Sequence, residues 1–323
     1  MRFKYLMMTA LCTAGAILLS GCGNAASQNN GHDKLRIVCT IFPEYDWTRQ
    51  ILGTHAADTD LYYLLGNGAD LHSFQPTAED MIRISDCDLF LYIGGESDEW
   101  TADALAESVN PEMQTIALLE TVSAKTEEQK EGMQAEDEEE DADEPELDEH
   151  VWLSLRNAKQ ICGEITEKLC ALDSTNADDY RANLAAYTAQ LDQLDQQFTA
   201  LTERAGQKTL LFADRFPFRY FTDDYGLDYY AAFAGCSAET EASFETVVFL
   251  ANKADELGLD TIYTIEGSDG KIARTVIENT KSKDQQTAVL NSIQSVTDTQ
   301  IADGATYLSL MQQNYAVLQE HLG

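Results

Sequence analysis

One stripe of apolar residues constrains the whole chain. Tyr180, Leu184, Tyr187, Leu191, Leu194, Phe198 and Leu201 follow one another at spacings of four and three, without a slip. That period keeps them all on one face of an α-helix. Ser174, Thr175 and Asn176 offer capping side chains at its start, and Gly206 ends it. A helix of about thirty residues is about 45 Å long, more than one small domain needs. A coiled coil would explain the seam only among helical neighbours, and the flanking sequence has a different rhythm. The stretch 173–206 is therefore predicted to be a rigid linking helix between two lobes.

The flanks alternate short and long periods. Before the linking helix, apolar runs at 35–41, 61–65, 89–93 and 115–118 alternate with helical segments at 44–52, 78–85 and 153–172. After it, runs at 209–213, 229–233, 261–265 and 288–293 alternate with helical segments at 241–257, 271–279 and 304–322. Short strands separated by helices make an α/β fold with mainly parallel sheets. The predicted organisation is an N-terminal α/β lobe over 35–172 and a C-terminal α/β lobe over 207–323. A crevice between strand carboxyl ends is where such folds bind a ligand.

The N-terminus is a targeting segment. Arg2 and Lys4 precede an apolar stretch over 5–19, too short to span a membrane, and Leu19-Ser20-Gly21-Cys22 follows. That ending resembles a bacterial lipobox, with residues 1–22 as the signal and Cys22 as the lipidated first residue. Residues 23–34 read as a polar tether. A lipid anchor would hold the chain at the extracytoplasmic face of the bacterial cell membrane. Cys39, Cys87, Cys162, Cys170 and Cys236 remain, scattered and without a CxxC pair. The odd number argues against a disulfide framework, and all five read as buried small hydrophobes.

Charge excludes one class of partner. The formal net charge is −35. Of the twenty-three residues 127–149, fourteen are Asp or Glu against one Lys, which leaves −22 elsewhere. Nucleic acid needs clustered Lys and Arg, so cations are the better match. The loop 126–149 itself is predicted to be a mobile, replaceable feeder that raises local cation concentration. It runs directly into His150.

Five histidines are present. His32 lies in the tether, His55 at a helix end and His321 at the C-terminus, and all three read as solvated. His72 and His150 differ. Each sits in a loop, preceded by a carboxylate (Asp70, Glu149) and followed by an aromatic ring (Phe74, Trp152). Imidazoles suit Zn, Cu, Ni, Fe and Mn, so the pair reads as metal ligands. Their affinity is predicted to fall below about pH 6 as both protonate. The enzyme motifs HExxH, GxSxG, GxxxxGK[ST] and GxGxxG after a strand are missing, and no residue offers itself as a general base. The chain reads as a non-enzyme. A metallohydrolase with an open metal position is the alternative from that class.

Several stretches together carry a family resemblance. They are residues 68–76 (GADLHSFQP), 148–154 (DEHVWLS), 218–221 (FRYF) with Tyr225-Gly226-Leu227, 261–266 and 307–322. The chain resembles the zinc/manganese solute-binding lipoproteins of bacterial ABC metal-uptake transporters over residues 35–323. The resemblance implies two lobes joined by one long helix, with metal bound between them. It implies a monomer that captures Zn²⁺ and delivers it to an ABC permease and its ATPase.

Its ligand set would be His72 and His150 from the first lobe and two residues from the second. The family's third ligand position is Arg215 here, a permanent cation that cannot bind metal. Asp214 beside it either substitutes, or pairs with Arg215 and leaves the position to water. The fourth position maps to Glu266, with Asp269 competing. Leu71 stands where the family usually has Pro. The charged loop before His150 implies the zinc type, although two His with two carboxylates is also a manganese-type set, so Mn²⁺ (or Fe²⁺) is the alternative cargo. A surface adhesin and a binder of an organic solute are the contrasting classes.

Overall fold

The computed structural model describes residues 34–134, 146–237 and 241–322. The signal segment with Cys22, the tether with His32, and the densest acidic run at 135–145 lie outside the described residues.

The first lobe runs β1 (Leu35–Cys39), α1 (Phe42–Leu52), β2 (Thr59–Tyr63), α2 (Ala78–Ser85), β3 (Leu89–Tyr92), α3 (Trp100–Ala106), β4 (Gln114–Ala117), α4 (Leu118–Thr121) and α5 (Leu155–Leu172). Its sheet has the order β2-β1-β3-β4, and every neighbouring pair is parallel. Parallel neighbours need crossovers, which explains the helices between strands. The order reverses between β1 and β3, so the strand ends there splay and leave a crevice.

The linking helix is α6, Ala177–Arg204, with 28 residues. It is about 42 Å long at 1.5 Å per residue. Six of the seven stripe residues are buried and Leu184 is partly so. It packs on α1 and α5 and on the last helix. Phe198 also stacks its ring edge on Phe221 of the second half, at 5.0 Å. One stripe therefore serves both lobes.

The second lobe runs β5 (Thr209–Arg215), α7 (Arg219–Tyr225), β6 (Asp228–Phe233), α8 (Phe244–Leu257), β7 (Thr261–Ile265), α9 (Lys271–Asn279), β8 (Gln286–Leu290), α10 (Asp298–Ala302) and α11 (Tyr307–Leu322). Its sheet repeats the same pattern, β6-β5-β7-β8, all parallel. Some helices start at a capping side chain, whereas α6 begins after Asn176 with no side-chain cap and ends before Ala205. Ser154 accepts the Asn157 N–H at α5, and Ser243 accepts the Thr246 N–H at α8. Helix α11 turns back onto α1, where Trp47 and Tyr307 meet edge-on at 5.0 Å. A single apolar cluster therefore runs through both lobes.

The acidic loop departs from expectation. Its described first part, 126–134, is docked on the second lobe. Thr126 bridges to Leu147, Gln134 N–H donates to the Ala232 carbonyl at 2.8 Å, and Met133 is buried. Glu128 accepts from the Tyr229 hydroxyl at 3.0 Å, and Lys130 pairs with Asp228. Apolar and cationic residues interleaved with the acids give this part surfaces to pack, which a pure charge run lacks.

Candidate metal centre

The residues of interest lie at strand carboxyl ends and in the loops beyond them. On the first lobe, a single 3₁₀ turn over Leu71–Ser73 carries His72. Asp70 caps it by accepting the His72 N–H at 3.0 Å. On the loop after β4, Asp148 does the same for His150. Its Oδ1 accepts the His150 backbone N–H at 2.9 Å and lies 3.1 Å from Nδ1. His72 Nδ1 lies 2.8 Å from the Ser97 hydroxyl and 3.7 Å from Glu149 Oε2. Both rings are thus oriented through Nδ1. Their Nε2 atoms are buried and have no hydrogen-bond partner among the described residues. The ring centroids are 5.4 Å apart. Two oriented imidazoles with free Nε2 atoms are the donor arrangement a transition metal uses.

The electrostatics of the two rings differ. Burial pushes His72 down, nearby His150 adds to this, and the ring is held at about 3. Burial also opposes charge on His150, but the hydrogen bond and charge of Asp148, with Glu149 and Glu127 behind it, outweigh that and raise the ring above its ordinary value.

On the second lobe, Arg215 lies among the expected carboxylates. Arg215, the last residue of β5, reaches across the crevice, and its Nη2 donates to Asp70 Oδ2 at 2.7 Å. Its ion-pair partner is thus Asp70 rather than Asp214. Burial would raise Asp70, yet Arg215's hydrogen bond and charge hold it below the usual carboxylate range. Asp214 accepts the Arg215 N–H at 2.9 Å and the Ile265 N–H at 3.4 Å, joining the ends of β5 and β7. Glu266 accepts from the Ser292 N–H and hydroxyl, both at 2.6 Å. Asp269 is exposed and pairs with Lys271 beside it.

Among the described residues, the one group of three that offers metal-binding atoms within 4.8 Å of one another is His72, His150 and Cys236. Cys236 follows β6 on the second lobe and is half-buried. Cys39, Cys87, Cys162 and Cys170 are buried free thiols, as their apolar surroundings predict, and Cys236 is the exception. The sequence signal for it was its place three residues beyond a strand end, in Ala234-Gly235-Cys236-Ser237. His55 and His321 are also less free than expected. His55 Nε2 lies 2.9 Å from Asp179 on α6, and His321 Nδ1 lies 3.1 Å from the Thr261 hydroxyl.

A family model, ZnuA, described as zinc-uptake complex component A, periplasmic, matches residues 37–321. The chain belongs to this family. The zinc-binding lipoprotein AdcA of Streptococcus pneumoniae (strain ATCC BAA-255 / R6) is 29% identical over 316 residues, 98% of this chain and 60% of AdcA. The chain thus spans about 60% of the length of that relative. The high-affinity zinc uptake system protein ZnuA of Bacillus subtilis (strain 168) is 29% identical over 312 residues, 95% of this chain and 94% of that protein. The crystal structure of the Zn(II)-bound ZnuA-like domain of S. pneumoniae AdcA aligns with a TM-score of 0.71 at 26% identity, covering 90% of this chain and 99% of that one. These members of the ZnuA family are named as binding and uptake proteins, not enzymes, and the two-lobe α/β fold expected from the resemblance is the one found here.

Proposed function

We propose that the chain is an extracytoplasmic binding protein that captures Zn²⁺ between its lobes and hands it to the permease of an ABC importer. The observation that carries this reading is the pair of buried, oriented imidazoles with unpartnered Nε2 atoms. Membership of the ZnuA family and the zinc named in its relatives support the choice of metal. His72 and His150 hold the ion through Nε2. Asp148 and Glu149, each 2% exposed, offset the charge of the dication from just behind them. The carboxylates of Asp214 and Glu266 are held by neighbouring N–H and hydroxyl groups, and neither belongs to the cluster of donor atoms around the two imidazoles. We therefore assign them to framing the second lobe's wall, ahead of direct ligation. Cys22, once lipidated, tethers the monomer to the membrane.

No helix of the described residues is long and apolar enough to cross a membrane.

Metal analysis and zinc calorimetry on the soluble chain from Asn24 test the reading. One zinc equivalent is expected, bound in preference to manganese. His72→Ala and His150→Ala should each lower affinity by about a hundredfold or more, roughly 3 kcal/mol. Zinc affinity unchanged in the double variant would sink the assignment.

A further inference from the structure

We infer that Cys236 supplies a sulfur ligand to the bound ion, completing a site with two imidazole nitrogens and one thiolate. This rests on the reading above that the crevice binds a transition metal. One ligating atom from each of His72, His150 and Cys236 lies within 4.8 Å of the other two. Ligands on tetrahedral zinc, at about 2.0 Å for nitrogen and about 2.3 Å for sulfur, sit roughly 3.5 Å apart. Movements of about 1 Å therefore bring the three onto one ion.

The cysteine is held in place from several sides. Its N–H donates to Glu127 Oε1 at 2.8 Å, and Arg215 Nη1 donates to the carbonyl of the next residue, Ser237, at 3.4 Å. Gly235 permits the approach. A Cβ there would lie 3.1 Å from the His150 ring and 2.9 Å from the Phe216 carbonyl oxygen. The second lobe thus presses its thiol loop directly onto the first lobe's imidazole. The two carboxylates on this wall are meanwhile engaged by Ser292 and by the β5–β7 junction.

The chemistry is ion exchange without electron transfer. As the sulfur–metal bond forms, the thiol proton leaves to solvent, and the site gains one negative charge against the dication. The remaining position of a tetrahedral ion is left to water or to a group from the permease. A thiolate in place of a carboxylate also changes selectivity. Soft sulfur favours zinc, whereas manganese prefers oxygen. The cysteine thus takes over the discrimination that the acidic neighbours cannot provide.

Cobalt is the probe. The mature chain loaded with one Co²⁺ should show a thiolate-to-cobalt charge-transfer band in the near ultraviolet beside its visible d–d bands. Cys236→Ser should lose the charge-transfer band, keep cobalt through the histidines, and bind zinc about tenfold or more weaker. The melting temperature of its metal-free form should match the parent, which separates ligation from folding. Visible bands without the charge-transfer band in the parent, or zinc affinity within about twofold in Cys236→Ser, would overturn the sulfur ligand and leave the metal-binding role standing. No cobalt or zinc bound at all would overturn both.

Discussion

His150 should carry the pH response of this site almost alone. A histidine must be neutral to ligate, so metal binding expels any proton it carries, and affinity rises with pH until that proton is gone. His72 is held at about 3 by burial and by its neighbours, and is already neutral throughout the working range. His150 is raised by Asp148 against the cost of burial, and takes up a proton first as pH falls. The reading from sequence, in which both rings titrate together below about pH 6, gives way to a single imidazole step that begins above the ordinary histidine value. On the proposed ligand set, zinc displaces one proton, from Cys236, above the His150 pKa and two below it. A plot of log affinity against pH should therefore steepen from slope one to slope two as pH falls through the His150 step, and stay at or below two while His72 is neutral. A slope of three in that range would contradict it. Asp148→Asn removes the charge that raises His150, so the break should move to lower pH. The same change loosens the ring and should weaken zinc binding at high pH by about tenfold. Calorimetry at two pH values reads both effects.

Among the elements, the loops of the first lobe were legible and those of the second were not. The backbones at His72 and His150 are each fixed by a carboxylate two residues earlier, Asp70 and Asp148, so these supporting contacts are local and visible in the chain. Helices α1 and α2 were legible from Pro43 and Thr77 at their starts, and α6 from its long apolar period. The short helices α3 and α7 were not, since seven residues make only two turns. Across the crevice the contacts that place Arg215 and Cys236 are distant in sequence. Arg215 finds Asp70 at a separation of 145 residues, and Glu127 finds the Cys236 N–H at 109. A single cysteine has no spacing pattern, so Cys236 looked like the four core thiols. The described first part of the acidic loop, 126–134, was hidden for a related reason, because the charge of the tract masks the Lys, Met and Gln that dock this part. Deleting 127–146 was expected from sequence to spare the main site. With Glu127 holding Cys236, the deletion should instead weaken it. Glu127→Ala should do so in miniature, by about 1 kcal/mol, or roughly fivefold in zinc affinity. Glu128→Ala, which breaks contacts only to Tyr229 and Arg219, should leave affinity unchanged.

At the scale of the whole molecule, the lobes are too firmly tied for a wide swing. Trp152 Nε1 donates to the Ser292 carbonyl at 2.8 Å, and Tyr307 Oη donates back to the Trp152 carbonyl at 2.6 Å. Tyr63 Oη donates to the Val296 carbonyl at 3.0 Å, and Tyr220 Oη to the Asp148 carbonyl at 2.9 Å. With α6 and one apolar cluster shared by both halves, binding should tighten the crevice by about an ångström and not close it like a jaw. Such a site reports on itself through stability. A ligand that binds only the folded state stabilises it by about 4 kcal/mol at a thousandfold excess over Kd. For a chain of this size that is a rise of about 10 °C in melting temperature. Arg215 separates the two contributions. It bridges Asp70 and Ser237 but is no ligand, so Arg215→Ala should lower the metal-free melting temperature by about 2–4 °C, while the zinc-induced rise survives. His150→Ala should do the reverse and abolish the rise. If the rise disappears with Arg215→Ala instead, the guanidinium is part of the binding machinery, and the crevice works by rearranging its charges as the ion enters.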